Sequence, residues 1–234
     1  MIQIQLTPDI AVDLIYKNIK NIHLAVYPPF GSVRLAVPLD TPEEVYKMFA
    51  ISKLSWIKKN QRTLSQQERQ SKRQFKERES HYFLGKRYLL RVKDIAGTPK
   101  VSLSSMRYLD IFAKPDSNST KHQVILDNWY RSQLLKIVQP LITKWSHKLG
   151  VEIQYLQIRK MKRLWGSCNP DKSKILLNLE LIKKPVKCIE YIVLHELLHL
   201  IIRNHNDQFT QKLDLYMPNW RFIKAELNAL PLNV

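Results

Sequence analysis

Glycine is scarce in this chain, and long apolar runs are missing from it. Only 5 of the 234 residues are glycine, whereas 44% are hydrophobic. This composition excludes collagen-like and disordered classes and is typical of a globular protein with a sizeable core. No run of about 18 apolar residues occurs, so the sequence predicts no membrane-spanning helix and no membrane partner.

Cysteine and a leader-like N-terminus are also lacking. The two cysteines, Cys168 and Cys188, are too few for a disulfide framework, which favours a reducing compartment or at most one bridge. The first 16 residues include Asp9 and Asp13 and have neither a basic start nor an uninterrupted apolar stretch, so we expect no signal peptide. The expected location is therefore cytoplasmic.

Positive charge is what the sequence has in excess. The formal net charge is +18, and from Val151 onward 13 Lys/Arg face 8 Asp/Glu, which leaves +13 for residues 1–150. Such an excess attracts polyanions over long range. Two interpretations stay open, because charge carries no information on shape: simple solubility, or a nucleic-acid partner bound through the basic N-terminal portion.

The N-terminal portion is predicted to be rich in strands. Alternation of apolar and polar residues predicts half-buried strands at 2–6, 22–26 and 33–37, with the last two forming a hairpin. Thr41, Pro42 and Glu44 resemble a capping box at the start of a helix over 41–60. Residues 61–80 contain almost no apolar side chains and are interpreted as a polar linker, or as a helical arm for nucleic acid.

A second hairpin should follow, turning at Gly85 within residues 82–90. Further strands are possible at 101–103 and 108–111, and the polar stretch 114–120 marks the expected boundary. We therefore predict two parts, a basic antiparallel β-rich portion over 1–115 and a second domain over 116–234.

The second part is predicted to be mainly helical, around a small sheet. A long helix should run from His122 to Leu149, kinked or split by Pro140 and stopped by Gly150. Two strands are expected at 152–158 and 173–181. Three further helices are expected at 186 to about 203, 207–216 and 220–230. The predicted fold class is α+β, and no internal repeat is visible in the sequence.

One of these helices carries a metal-binding pattern, His195-Glu196-Leu197-Leu198-His199. Residues four apart lie about 40° from each other around a helix, so both imidazoles can bind one ion. Glu196 can then lie beside the ion without binding it, where a carboxylate can take a proton from water. The alternative is a pair of core histidines, but burying two imidazoles and a carboxylate among apolar residues is costly unless something satisfies them.

A third ligand is needed, and two candidates stay open. His205 lies ten residues after His195, beyond the expected helix end near Arg203, and Asn204 could supply a left-handed residue for the reversal. Glu226 on the last helix is the rival. We favour His205 for its proximity and because imidazole is a preferred zinc ligand.

A second signal lies upstream, around Gly166. An extended substrate could pair with the edge of the strand that holds Leu177 and Asn178. Gly166 would permit close approach of a backbone, and Ser167 follows it. These four residues are the predicted substrate-binding positions. Ordinary sheet structure is the alternative, and Cys168 is interpreted as a packing residue.

Several motifs together resemble the YgjP-like metallopeptidases, described as predicted metal-dependent hydrolases and similar to the SprT-like and WLM-type zincins. The matching segments are Trp165-Gly166-Ser167-Cys168, Leu177-Asn178, His195-Glu196-x-x-His199-Leu200, Asn204-His205 with Phe209, and Met217-Pro218-Asn219-Trp220. Three N-terminal segments also fit: Arg34-Leu35-Ala36-Val37-Pro38, Lys53-x-x-Trp56-Ile57 and Leu84-Gly85-Lys86-x-Tyr88. Two departures, Asp207 and Thr210, bear on the floor of the pocket.

The resemblance implies a zincin-like catalytic domain with one Zn²⁺ per chain. It implies that His195, His199 and His205 hold the zinc and that Glu196 acts as general base on a protein or peptide substrate. Two alternatives stay open: action on protein targets bound to nucleic acid, as in some SprT-like and WLM-type zincins, and hydrolysis of non-peptide amides.

Overall fold

The protein has a mixed α+β fold whose chain divides into two compact units. The computed structural model describes residues 2–27, 31–66, 74–162 and 164–229. The first unit spans Met1–Arg69 and the second spans Gln70–Asn233. The division thus falls near residue 70, whereas the sequence predicts it at 115.

The first unit contains one four-stranded sheet and two helices. Strands β1 to β4 are Ile2–Thr7, Ile10–Lys17, His23–Tyr27 and Ser32–Pro38, followed by helices α1 (Glu43–Ser52) and α2 (Leu54–Gln66). The spatial order is β1-β2-β4-β3. Alternate residues of β2 and β4, together with Tyr46, Ala50 and Ile57 of the helices, form its buried core.

Three details of this unit differ from the prediction. The sheet is mixed rather than antiparallel, because β2 and β4 run parallel. Strand β2 is not predicted by the pattern, since Ile10-Ala11-Val12 and Leu14-Ile15-Tyr16 are apolar runs that hide its alternation. The expected helix over 41–60 is two helices, and Pro42 rather than Thr41 takes the N-cap position, without a side-chain hydrogen bond.

The second unit begins with a sheet of the same topology. Strands β5 to β8 are Ser80–Phe83, Lys86–Asp94, Lys100–Ser104 and Tyr108–Ala113, in the order β5-β6-β8-β7. In both four-stranded sheets the outer pairs are antiparallel and the central pair is parallel. One face packs against helix α3 (Ser119–Leu149), and the two share one hydrophobic core.

That shared core explains why the boundary at 115 does not coincide with a structural division. Leu90, Leu109 and Ile111 of the sheet are fully buried in the same cluster as Leu134 of α3. The segment expected as a linker contributes Phe75 to this core. Of its other residues, 61–66 belong to α2 of the first unit, and 67–73 lie outside the described residues. A polar stretch can thus be anchored by one aromatic ring.

Helix α3 is continuous through Pro140 and ends at Gly150, whose φ of 66° makes it a left-handed cap. A three-stranded sheet follows, formed by β9 (Tyr155–Arg159), β10 (Gly166–Asn169) and β11 (Lys174–Asn178) in the order β10-β11-β9. Helices α4 (Val186–Leu198), α5 (Asp207–Tyr216) and α6 (Trp220–Ala229) complete the unit. Within the described ranges, no helix is both long enough and apolar enough to cross a membrane.

The β5–β6 hairpin fixes the start of α4. The backbone N–H groups of Leu84 and Gly85 donate hydrogen bonds to the carbonyls of Ile182 and Lys183, at 2.8 and 3.1 Å. Gly85 has a φ of 80°, and a Cβ there would lie 2.8 Å from Cγ of Pro185, the N-cap residue of α4. The hairpin turn therefore needs glycine for its conformation and for its contact.

We expect Gly85→Ala to destabilise the protein by about 1–3 kcal/mol, because a left-handed non-glycine residue costs about that much and the new methyl group meets Pro185. Urea unfolding followed by circular dichroism measures the change. Gly97→Ala is the matched control, since a Cβ there meets nothing within 4 Å and the residue has no positive φ. Equal stability of the two variants would contradict this account of the hairpin.

Candidate metal centre

Helix α4 is the most deeply buried helix of the second unit. It follows Pro185 and packs against α3 on one side and α6 on another, and nine of its thirteen residues are buried. Cys188, Ile189 and Leu194 are inaccessible to solvent. Apolar residues all round a short helix are typical of burial on every side, so polar groups on it need partners.

The helix ends sooner than its sequence predicts. It stops at Leu198, not near Arg203, and His199 is its C-cap residue. Leu200 and Ile201 donate i→i−3 hydrogen bonds to the carbonyls of Leu197 and Leu198, which tighten the last turn. Asn204 is not among the described residues with positive φ, so the reversal does not use the left-handed conformation expected there.

This early ending brings three imidazoles together. Nε2 of His205 lies 2.9 Å from Nε2 of His195 and 3.1 Å from Nε2 of His199. Two ligands about 2.1 Å from a tetrahedral ion are about 3.4 Å apart, so the donor set fits a bound zinc after a small outward relaxation. Among the residues that the structure describes, this is the group of metal-ligating side chains that could hold an ion.

Two hydrogen bonds orient the ligands. Nδ1 of His199 lies 3.0 Å from the carbonyl of Ile202, which fixes the proton on Nδ1 and leaves the Nε2 lone pair for a metal. The side chain of Asn206 accepts from the backbone N–H of Phe209 and caps α5, which holds the loop carrying His205. Nδ1 of His195 is buried and has no hydrogen-bond partner among the described groups.

Desolvation favours the neutral, metal-binding form of two of these imidazoles, those of His195 and His205. It lowers the pKa of His195 to about 3, helped by the nearby His199 and His205. Burial also lowers the pKa of His205, and His199 and Lys224 add to the effect. Neutral imidazoles with free lone pairs are what a metal requires, so the electrostatics match the geometry.

Phe209 forms the floor beneath the three histidines. Its ring centroid lies 5.0 Å from that of His195, 4.7 Å from His199 and 4.8 Å from His205, and the residue is buried. The Thr210 hydroxyl donates back to the carbonyl of Asn206 at 3.2 Å. Thr210 therefore supports the loop rather than the floor itself.

Glu196 lies next to the imidazole cluster and against the backbone of β10. A Cβ on Gly166 would lie 2.6 Å from Oε1 of Glu196, so glycine is needed to make room for this carboxylate. The side chain is almost wholly buried, and that burial raises the pKa of Glu196 to about 8. The close approach predicted at Gly166 thus exists, and its partner is Glu196.

A pocket of about 360 Å³ opens onto these groups. It is lined by the three histidines, Glu196, Leu164, Gly166, Ser167, Cys168, Pro170 and Arg203. Gly166 and Ser167 therefore belong to the pocket, as expected, and four residues are additions to the predicted set: Leu164, Cys168, Pro170 and Arg203. Arg203 pairs with Asp171 across the rim, a contact between loops that sequence spacing does not reveal.

Leu177 and Asn178 do not line the pocket. Both are fully buried, and their strand β11 lies between β10 and β9, so it has no free edge for a substrate. The edge strand next to the pocket is β10. Asn178 instead holds the preceding loop, because its amide N–H groups donate to the carbonyls of Met161 and Leu164, both at 2.8 Å.

Glu226, the rival third ligand, and the two cysteines are not part of the histidine cluster. Glu226 pairs with Lys187 at 2.7 Å. Cys168 and Cys188 are both free. Burial raises the pKa of each thiol to about 11, with a smaller contribution from Glu196 at Cys168 and from Glu226 at Cys188, so both stay protonated at neutral pH. Cys168 thus lines the pocket as a neutral thiol.

Comparison with known protein families identifies the family of this chain. The model of the YgjP-like metallopeptidase domain matches residues 20–230, so this chain belongs to that metallopeptidase family. No curated protein matches the sequence significantly.

Two crystal structures are similar to part of the chain. The metallopeptidase zymogen jannalysin of Methanocaldococcus jannaschii is 23% identical, with a TM-score of 0.36, over 38% of this chain and 86% of its own. The metallopeptidase zymogen abylysin of Pyrococcus abyssi is 21% identical, also with a TM-score of 0.36, over 38% of this chain and 90% of its own.

We expect Asn178→Asp to destabilise the protein by about 3 kcal/mol, because the carbonyls of Met161 and Leu164 lose their donors in a buried setting. Urea unfolding measures this. Asn128→Asp, the same change at an exposed position of α3, should stay within about 0.5 kcal/mol of wild type. If both variants were equally stable, Asn178 would not be the residue that holds the loop.

Proposed function

We propose that this chain is a zinc-dependent peptidase in which His195, His199 and His205 hold the metal and Glu196 is the general base. The observation that carries the proposal is the convergence of three imidazole Nε2 atoms beside a buried carboxylate in one pocket. Membership of a metallopeptidase family supports a catalytic metal. A donor set of three neutral imidazoles with room for one more ligand is typical of catalytic zinc.

A zinc ion held by His195, His199 and His205 would supply Lewis acidity to a scissile carbonyl and to a water molecule. Glu196 takes a proton from the water at a carboxylate oxygen as the water oxygen bonds to the carbonyl carbon, and gives that proton to the amine as the C–N bond breaks. Its position against Gly166 keeps the carboxylate at a fixed distance from the imidazoles. The side chain is almost wholly buried, so a proton that it takes is shielded from exchange with bulk water.

The substrate should lie along β10. This strand is the sheet edge that borders the pocket, and its first three residues, Gly166, Ser167 and Cys168, line it. An extended peptide can add to such an edge through backbone hydrogen bonds, which recognise the main chain and tolerate many side chains. This placement moves the proposed substrate contact from Leu177 and Asn178 to the strand beside them.

The first test is the zinc content of protein purified without added metal, measured by elemental analysis. We expect about one zinc per wild-type chain and less than about a tenth of that in His205→Ala, because the loss of one of three protein ligands opens the site. His147→Ala is the matched control, since His147 is exposed on α3 and lies outside the cluster. Full zinc retention in His205→Ala would mean that the ligand set is wrong.

The second test separates catalysis from metal binding. We expect Glu196→Gln to keep its zinc and lose at least about a hundredfold in the rate of hydrolysis of fluorescently labelled casein, since a proton acceptor contributes about 10²–10⁴-fold. Unchanged hydrolysis in this variant would remove Glu196 as the base. Cleavage of small non-peptide amides without any cleavage of casein would assign the site to another amide.

A further inference from the structure

A second functional surface lies on the outer face of the β5–β8 sheet, away from α3. Strand register places alternate residues of β6, β7 and β8 on this face, while Leu90, Leu109 and Ile111 point into the core. We call it the basic sheet face. Its cations are Arg87, Arg91, Lys93, Lys100 and Arg107, and its rings are Tyr82, Tyr108 and Phe112.

Cations and rings alternate on this face in direct contact. The Arg91 guanidinium carbon lies 4.0 Å and that of Arg107 5.8 Å from the ring centroid of Tyr108. Nζ of Lys93 and of Lys100 lie 5.4 and 5.2 Å from the ring centroid of Phe112. Tyr108 and Phe112 thus each have two cations within the range of cation–π attraction.

The charge of the face is strongly one-sided. Asp110 is the carboxylate among the described strand residues of this face, and it is almost wholly buried; the exposed Glu77, which precedes β5, also attracts Arg91. Arg91 donates to it at 2.7 and 3.0 Å, and Lys93 and Ser104 donate at 2.8 and 2.7 Å. Five cations against Asp110 and Glu77 leave an excess of three positive charges at this face.

Asp110 serves to hold the cations in place. Burial raises its pKa, but the hydrogen bonds from Arg91, Lys93 and Ser104 outweigh burial and hold that pKa well below the usual range. The carboxylate therefore stays charged at any ordinary pH. The side chains of Arg91 and Lys93 keep 31% and 43% of their surface exposed. Asp110 therefore holds both cations in place on the sheet, while part of each remains accessible to solvent.

We propose that the basic sheet face binds single-stranded nucleic acid. Fixed cations match the phosphates of a polyanion, and half-exposed rings between them offer planes on which unpaired bases can stack. Tyr108 and Phe112, four residues apart on one strand, are separated by about 13 Å, so they can stack different bases. A duplex hides its base faces, which favours the single strand as occupant.

The test uses the full-length protein and fluorescence anisotropy with labelled 20-mers of oligo-dT and oligo-U, at 50 and 200 mM salt. With about four phosphate contacts on a single strand, affinity should fall about fiftyfold over that range. Binding of either oligomer supports the proposal, and their ratio reports whether the 2′-hydroxyl contributes. The face does not involve the metal ligands, so Glu196→Gln should bind as wild type does.

Matched charge reversals locate the surface. Lys100→Glu/Arg107→Glu should weaken binding at least about tenfold and reduce the salt slope by about 1.4, because two phosphate contacts are lost. Lys121→Glu/Lys136→Glu on α3, which packs on the opposite face, makes the same change in net charge and should alter the affinity less than threefold. Equal losses in the two double variants would mean that only net charge matters and would overturn the proposal.

A ring variant tests stacking separately from charge. Phe112→Leu keeps an apolar side chain over the sheet and should weaken binding about fivefold or more with the salt slope unchanged. Circular dichroism checks that each variant is folded. Absence of binding at 50 mM salt would overturn the proposal, as would equally tight binding of duplex DNA, polyglutamate or phosphatidylserine vesicles.

Discussion

The second unit is organised around the cost of placing polar groups in its core. Three imidazoles and the carboxyl group of Glu196 lie on or beside a helix that is otherwise apolar, and desolvation favours the neutral forms of His195 and Glu196. Such groups are destabilising unless something binds them, and a metal ion is what their geometry suits. Phe209 lies beneath the imidazoles, Gly166 makes room for Glu196, and the cap of α5 holds the loop that brings the exposed His205 to the other two histidines.

Support for this arrangement comes from outside the pocket. Helix α4 is held at its start by the β5–β6 hairpin and along its length by α3, where Nε1 of Trp145 and Nζ of Lys144 both donate to Glu190. A catalytic geometry is reproducible only when its supporting residues are themselves fixed. The sheet that carries the cations is thus also part of the frame that positions the proposed metal ligands.

The features that the sequence predicts correctly are those that depend on residues close together along the chain. The spacing of His195 and His199 and the choice of His205 need only helical geometry and a nearby reversal, and the structure brings all three together. The end of α4 and the role of β11 depend on partners distant in sequence. The sequence predicts that the strand of Leu177 and Asn178 is an edge that binds substrate, but in the structure β10 covers that edge. The strand order β10-β11-β9 cannot be predicted from local sequence patterns.

The same limit hides the basic sheet face. Along the chain, Arg91 and Lys93 are ordinary exposed cations of an alternating strand, and Tyr108 and Phe112 are ordinary strand aromatics some 15 to 20 residues later. Only the parallel pairing of β6 with β8 puts them in contact, with Asp110 between them. Net charge alone gives equal weight to solubility and to a polyanion partner. The alternation of fixed cations with aromatic rings on one face favours a polyanion partner. Solubility requires charged side chains, but it does not require them to lie beside aromatic rings.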